Sequence, residues 1–444
     1  MRAGDGAQAT ATHERSLLLR FARSRPTQAT GIDDETVELT VVRDGHAAGA
    51  ATNRADHEGL AECARVAEAA AEAAARAATA PGSHPGFPAP EPVRGHTGHS
   101  ARTALLDPAP GGAALEAAFA AAAARGTEAH GVWTAAETET AIASSSGVEL
   151  SERLTDAFMK VTAIAPSGRS GYAAATAVDA HELNGHGLAD RAAVKATLGG
   201  PDAEPVRLDA GELPVVLEAH AVGELLGWLG HLGFNGLAFA EGRSALDGRL
   251  GARVAAPRIN LSDSPHLAST LPRAFDLEGV PKAPLPLIQD GVAQRVVFDR
   301  RSAMLAGGGA VSTGHAIAPG GAPEGPEPTN LALAGGAAGD EAELCRPIAR
   351  GVYVTRLWYT NAVRPMETLL TGVTRDGTFL IEGGEVTRPA ADLRFTDSVL
   401  GVLERTQELS ARPLLTSEGE FYGRRFATGV VCPALRAGSM RFTG

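Results

Sequence analysis

Apolar positions along this chain recur at two spacings, helical segments alternating with strand-like ones at first and strands dominating later. Residues 58 to 79 are rich in Ala and Glu, with neither Gly nor Pro after Gly59, which predicts a helix that Pro81 ends. Ala113 to Ala124 predicts a second helix, and residues 187–197 and 220–230 a further pair. Strand-like runs lie at 130–134, 139–144, 158–165 and 171–177. Val37 to Val42 reads as another strand, followed by the hairpin dipeptide Asp44-Gly45. The first 15 or so residues are small and polar and read as a disordered or frayed start.

The second half is richer in strands. Leu285 to Ile288, Asp290-Gly291 and Val292 to Phe298 read as strand, turn, strand. Thr368 to Thr374, Asp376-Gly377, Thr378 to Ile381, Gly383-Gly384 and Glu385 to Thr387 read as short strands joined by tight turns. Val399 to Leu409 looks helical, and Gly429 to Phe442 closes the chain as a strand. Residues 81–112 and 306–340, dominated by Pro, Gly and Ala, read as long surface loops. The pattern predicts an α+β fold: two domains, antiparallel sheets with packed helices, an N-terminal one over 1–200 and a strand-rich C-terminal one over 201–444. No internal repeat is visible.

Composition narrows the partners. The 444 residues carry a formal net charge of −12 with both signs interspersed. A nucleic-acid binder needs a basic stripe to neutralise phosphates, and Arg15 to Arg25, the nearest approach, is short and interrupted by apolar residues. Abundant Ala and Gly with scarce aromatics suggest a GC-rich bacterial gene. Cys63, Cys345 and Cys432 are odd in number and far apart, which indicates neither a disulfide framework nor a thiolate zinc site. Leu17 to Leu19 is too short for a signal core, and no stretch nears about 18 uninterrupted apolar residues. A reduced cytoplasmic protein, with neither nucleic acid nor membrane as partner, is expected.

Two groups of histidines invite a metal reading. His84, His96 and His99 sit among helix breakers with no carboxylate nearby in sequence, and read as solvated loop residues. His181-Glu182-Leu183-Asn184-Gly185-His186 matches H-E-x-x-x-H, in which two imidazoles hold zinc and a carboxylate deprotonates its water. A spacing of five places the two histidines about 140° apart around a helix, so the helix must bend or end between them. Asn184-Gly185 is a turn signal, and Asp179 and Glu182 read as a lead-in to the helix near Gly187. A surface turn and helix start is the first reading, and a metal held by His181, Glu182 and His186 the alternative.

An ordered series of segments from residue 211 onward bears on this choice. It runs Gly211-Glu212-Leu213-Pro214-Val215-Val216-Leu217-Glu218, Ala240-Glu241-Gly242-Arg243-Ser244, Gly248-Arg249-Leu250-Gly251 and Phe275-Asp276-Leu277-Glu278-Gly279-Val280-Pro281. It continues through Leu287-Ile288-Gln289-Asp290-Gly291-Val292, Asp299-Arg300-Arg301, Thr313-Gly314-His315-Ala316 and Gly351-Val352-Tyr353-Val354-Thr355. Leu370 to Gly377 and Pro433-Ala434-Leu435-Arg436 complete it. Together these resemble the TldD/PmbA family, once called modulators of DNA gyrase, over more than half the chain.

In TldD-type members the zinc motif follows the Val-Val-Leu strand. Here that place reads Ala219-His220-Ala221-Val222-Gly223-Glu224, so the first ligand falls on Ala219, the general base on His220 and the second ligand on Glu224. The family's cysteine ligand belongs around Ser417 to Glu420, where there is no Cys, and Cys432 does not match it. This is the pattern of TldE/PmbA-type subunits. The resemblance implies a chain with no catalytic residue, metal or cofactor of its own, joined to a TldD-like, zinc-bearing subunit in a heterodimeric peptidase that cleaves unfolded peptides or small amides. His220 and Glu224, four apart on one helix face, could hold a weak divalent ion with another carboxylate or simply support the helix. Two alternatives stand beside this: a subunit of an amide hydrolase or peptide-modifying complex in a biosynthetic pathway, and a regulatory interaction protein of the gyrase-modulator type.

Overall fold

The computed structural model describes residues 5–79, 82–417, 419 and 423–443. Its first sheet is built from a contiguous stretch of chain: β1 (Gly6–Ala22), β2 (Arg25–Arg43), β3 (His46–Thr52), then, after helices α1 (His57–Ala77) and α2 (Ala109–Ala124), β4 (Glu128–Ser144), β5 (Glu149–Ile164) and β6 (Ser170–Ala177), followed by helix α3 (Gly185–Thr197). The strands run in the order β3-β2-β1-β4-β5-β6, all antiparallel. Trp133, Met159, Phe21, Leu115 and Leu188 bury the helix-facing side, and abundant Ala lets α2 and α3 lie close to it.

The remaining elements are β7 (Gly211–Leu217), α4 (Ala219–Leu232), α5 (Gly236–Ala240), β8 (Leu261–Asp263), β9 (Leu285–Gln289), β10 (Val292–Ala293), α6 (Arg300–Ala306), β11 (Asn330–Leu333) and α7 (Glu341–Cys345). Then come β12 (Arg350–Arg364), β13 (Leu369–Glu382), β14 (Glu385–Pro389), β15 (Arg394–Ser398), α8 (Val399–Glu404), β16 (Thr406–Leu409), β17 (Leu414–Thr416), β18 (Gly429–Cys432) and β19 (Leu435–Phe442). One sheet runs β10-β9-β8-β11-β18-β17. In the other, the order β12-β7-β19-β15-β13 closes because β12 also pairs with β13, giving a five-stranded barrel. α4 fills the space between these sheets, packing Leu225, Leu226 and Leu229 into a core that includes Leu217, Phe395 and Phe442. Two pairings, β11–β18 and β7–β12, are parallel. The fold is α+β, with mainly antiparallel sheets.

Several sequence expectations change. The frayed start is instead β1, hydrogen-bonded on both sides, and residues 1–4 lie outside the described residues. α1 ends at Ala77, and Pro81 lies outside the described residues. Leu369 to Ile381 lies in one long strand, β13, because Asp376 (φ 52°) and Gly377 (φ 131°) form a bulge opposite Thr355 and not a turn, while Thr368 caps the 3₁₀ turn before it. Of Val292 to Phe298 only Val292–Ala293 pairs as a strand. Val399 to Leu409 splits into α8 and β16, the latter captured by pairing with β19. Gly429 to Phe442 is two strands in different sheets, broken at Pro433, which lacks an amide donor. β11 interrupts the 306–340 loop.

The loop through residues 82–102 runs over the surface for much of its length, with His99 exposed, but it buries His84, Gly86, Phe87 and Pro88 and half-buries His96, and each of its histidines meets a carboxylate. His96 Nε2 lies 3.3 Å from Glu152 Oε2 and His99 Nε2 3.0 Å from Glu137 Oε1. His84 and Glu278 are fully enclosed, 2.9 Å apart. Because His84 Nδ1 accepts from the Gly86 amide, its proton sits on Nε2 and points at Glu278 Oε1, while the Arg300 amide donates to Oε2. Both bonds favour the carboxylate, yet burial, aided by Asp299, wins and pushes Glu278 up to about 8, while burial pushes His84 down to about 4. A carboxyl raised in the fold contributes stability that is complete below its ordinary value of 4.5 and is lost as pH rises through about 8. His84 acts oppositely, its contribution falling away as pH drops from 6.5 toward 4. Asp276, raised to about 7, adds to the alkaline loss. The urea midpoint should therefore fall between pH 6.5 and 9, and Glu278→Gln should flatten part of that decline.

Among the described residues no helix is long and apolar enough to cross a membrane.

Candidate functional site

α4 starts where the core strand β7 ends. Its apolar positions, Ala221, Val222, Leu225, Leu226 and Leu229, recur at helical spacing and are buried. The opposite stripe, His220, Glu224, Trp228 and His231, faces a cleft of about 540 Å³ together with the small residues Gly223 and Gly227. The far wall is Thr416 of β17 and Ser417 just after it, with Thr428 and then Gly429 and Val430 of β18, and the end is closed by Tyr172 of β6 and by Arg356 and Leu357 of β12. The walls come from regions far apart in sequence, and Thr176 Oγ1 and Ser417 Oγ, 2.9 Å apart, join two of them.

Close packing sets the cleft's width. A Cβ on Gly223 would lie 2.2 Å from Thr416 Oγ1, so only glycine lets β17 approach the helix this closely. Glu218 precedes the helix, and its carboxylate turns away from the helix amides. It receives Lys195 Nζ at 2.7 and 2.8 Å and Tyr353 Oη at 2.7 Å. Lys195 Nζ also donates to the Tyr172 carbonyl at 2.9 Å, so one ammonium ties α3, β6 and the start of α4. Burial and the Glu218 charge hold the Tyr353 phenol well above its usual range, so it stays a donor.

Inside the cleft, Trp228 Nε1 donates to Glu224 Oε1 at 3.1 Å. The Tyr172 ring meets His220 edge-on, with centroids 5.3 Å apart, and its face carries the Arg356 guanidinium at 4.4 Å. Arg356 is held by Asp376, which also accepts from Ser170 Oγ at 2.6 Å. Burial pushes the His220 imidazole down to about 4, so near neutral pH the ring is neutral, with one nitrogen bonded to the Ala174 backbone. His231 at the rim is raised by its bond to Glu327. The cleft thus combines aromatic faces, a carboxylate and a neutral imidazole, a lining suited to a polar ligand with an apolar part.

The sequence-level site residues fall in different places. His220 and Glu224 share the cleft face, whereas Ala219 is buried in the core and does not line the cleft. Cys432 Sγ donates to the Ala219 carbonyl at 3.2 Å, and burial pushes its thiol up to about 12. A catalytic zinc does not fit the motif position as it stands: Ala219 offers no donor atom and faces the core, and the buried Cys432 Sγ is turned to the Ala219 carbonyl. Glu418 and Glu420, at the family's cysteine position, lie outside the described residues. Among the described residues, no three His, Cys, Asp or Glu side chains are grouped to hold a metal.

His181 to His186 lies apart from the cleft lining. Ala180–Glu182 is a single 3₁₀ turn, Asn184 caps α3 through the Gly187 amide, and Gly185 opens the helix. His181 bonds Asp179, which also pairs with Arg102, and His186 is exposed. Sequence reasoning missed Tyr172, Trp228, His231, Arg356 and Thr416. A polar and aromatic stripe at 220, 224 and 228 on an otherwise apolar helix could have pointed to Trp228, but the residues on β6, β12 and β17 reach the cleft only through tertiary folding.

Family models for the three domains of the PmbA/TldA metallopeptidases match the chain, domain 1 over residues 8–71, the central domain over 108–198 and the C-terminal domain over 210–444. No curated protein matches it significantly. Among solved structures it is similar to TldE from Thermococcus kodakarensis, at 19% identity and a TM-score of 0.84, covering 99% of this chain and 97% of that one. A proposed modulator of a DNA gyrase from Thermotoga maritima superposes with a TM-score of 0.83 at 19% identity, over 99% and 96% of the two chains. A like-described protein from Bacteroides thetaiotaomicron gives 0.76 at 18% identity, over 99% and 94%. At these identities the likeness speaks to fold.

Proposed function

Because the chain belongs to the PmbA/TldD metallopeptidase family, we propose that it is the TldE-type, non-catalytic subunit of a heterodimeric peptidase whose zinc resides in a TldD-like partner. The observation that carries this reading is the makeup of α4 at the motif position: Ala219 buried without a donor, His220 where a general base would stand, and Glu224 where a second imidazole would be required. When bound in the partner, zinc would supply an activated water for amide hydrolysis. This chain would contribute the cleft beside α4. Trp228 and Tyr172 offer apolar and aromatic surface to a peptide or small amide, and Glu224 and neutral His220 offer hydrogen bonds. Free, buried thiols at Cys63, Cys345 and Cys432 suit a reducing compartment such as the cytoplasm.

The test is a purified preparation of this chain, with and without a zinc-bearing family member. Alone, it should carry far less than one zinc per chain and hydrolyse no peptide. With the partner, chelator-sensitive hydrolysis should appear, and Trp228→Ala should lower the complex's kcat/KM by about tenfold or more, as expected for loss of a large aromatic contact. Amide hydrolysis by the chain alone, abolished by a chelator, would overturn the assignment.

A further inference from the structure

The two ends of the α4 cleft differ in charge. At the end closed by β6 and β12, Arg356 is locked in place. Its Nε and Nη2 bond Asp376, and its guanidinium lies over the Tyr172 ring at 4.4 Å and the Trp358 ring at 4.8 Å. Arg375 Nε lies 3.9 Å from the same carboxylate, so two guanidinium groups share Asp376. Asp392, the next carboxyl, bonds Thr378 and is pushed up by burial. Arg356 Nη1 bonds to no described residue, and the side chain keeps 15% of its surface exposed where it lines the cleft. A guanidinium held in this way offers a carboxylate a donor at little cost in side-chain order.

One helical turn along, the sign reverses. The Trp228 indole N–H, at 3.1 Å, orients the Glu224 carboxylate, and a carboxylate accepts several donors at once. Farther on, His231 is matched by Glu327 at 2.9 Å, so the rim adds no surplus positive charge. A phosphate would suit Arg356 but meet Glu224, and a polyamine would suit Glu224 but meet Arg356. A zwitterion satisfies both. Spacing sets its length. His220, which touches Tyr172, and Glu224 are one turn apart, a rise of about 6 Å. An extended peptide covers about 3.3–3.6 Å per residue, and the step from His220 across the Tyr172 ring to Arg356 lengthens the path, so two or three residues bridge the charges. Gly223 and Gly227 put no side chains in their way.

We propose that the cleft takes a di- or tripeptide with both ends free, its carboxylate on Arg356, its ammonium on Glu224 and its first side chain against the Trp228 ring. This rests on the reading of the cleft as the peptide-facing surface of the chain, and narrows its ligands from peptides in general to short ones with free termini.

Isothermal titration calorimetry of the full chain with the tripeptide Phe-Ala-Ala, with neither a second protein nor zinc present, tests it. The tripeptide should bind, and its C-terminal amide and its N-acetyl form should each bind about tenfold or more weakly, as for a lost charge-assisted hydrogen bond. Arg356→Gln should bind acid and amide alike while still preferring the free amine. Glu224→Gln should show the opposite pair of preferences. Each variant erases discrimination at one terminus only, which a general loss of structure would not reproduce. Arg356→Lys, which keeps a cation beside Asp376, should retain a preference for the acid even where the glutamine variant fails to fold. No binding of Phe-Ala-Ala up to about 1 mM overturns the proposal. So do blocked forms that bind as tightly as the free tripeptide, or variants in which every form weakens equally. Zinc content and hydrolysis are read separately, so a failure of the subunit assignment and a failure of this site give different results.

Discussion

Replacing Asp156 with Ala should cost about 3–5 kcal/mol of folding stability, the range for a buried ion pair that loses one member. Arg425 enters the first sheet from the far end of the chain. Its Nε and Nη2 bond Asp156 at 2.9 and 2.5 Å, its Nη1 bonds Thr134 Oγ1 at 3.2 Å, and its backbone amide bonds Glu14. Both partners of the pair are buried, so removing the carboxylate strands a guanidinium away from water. Residues 424–427 follow that guanidinium and lead directly into Thr428 and Gly429, which wall the cleft. Arg273 bonds the Ala427 carbonyl and stacks on Phe426, so part of this segment should hold even in the variant. Urea unfolding would read the stability loss, and hydrogen exchange at residues 423–430 should rise more than at α1. Asp156→Ala combined with Arg425→Met should recover much of the deficit, because the stranded charge is gone. If the double variant were as unstable as the single, the pair would matter through packing and not through charge.

Gly185→Ala is the second large effect expected, at about 3 kcal/mol. A methyl group on Gly185 would lie 2.0 Å from the Ala114 carbonyl oxygen, so α2 and α3 could no longer touch there. Backbone on both sides leaves little room for relaxation, and such overpacking costs about 1–3 kcal/mol, occasionally more. His181→Ala and His186→Ala, altering exposed side chains on either side of it, should each stay within about 0.5 kcal/mol. This contrast separates the two readings of His181 to His186. In a structural turn the glycine carries the effect. In a metal site the histidine variants would lose zinc, and the stability that zinc brings, while the glycine would matter less. Urea midpoints with and without a chelator decide between them.

Where local pattern decided structure, the sequence was readable. The alanine-rich helices α1 and α2, the hairpin at Asp44-Gly45 and the strand-to-helix passage from β7 into α4 follow from propensity and turn chemistry. β1 was missed because its alternation is between small polar and small apolar residues: Thr10, Thr12 and Ser16 are buried there, and a count of hydrophobes passes over them. β13 was cut in two because Asp-Gly signals a turn as readily as a bulge, and only the partner strand distinguishes them. The loop histidines were misplaced for a different reason. Their carboxylates, Glu137, Glu152 and Glu278, are distant in sequence, so proximity along the chain could not reveal the pairing. The same limit applies at the cleft. The α4 face was legible as a degenerate motif with His220 and Glu224 in phase, but its other walls depend on β6, β12, β17 and β18 meeting in space.

The closed barrel in the second half imposes an order on synthesis. β19 lies between β7 and β15, so Leu435–Phe442 completes the ring, and until those residues clear the ribosome β7 and β12 share a sheet with two open borders. The first sheet draws only on residues 6–177 and can be finished long before that. A nascent chain would thus carry a folded front half while the half bearing α4 waits, its apolar strands uncovered and in need of protection by chaperones.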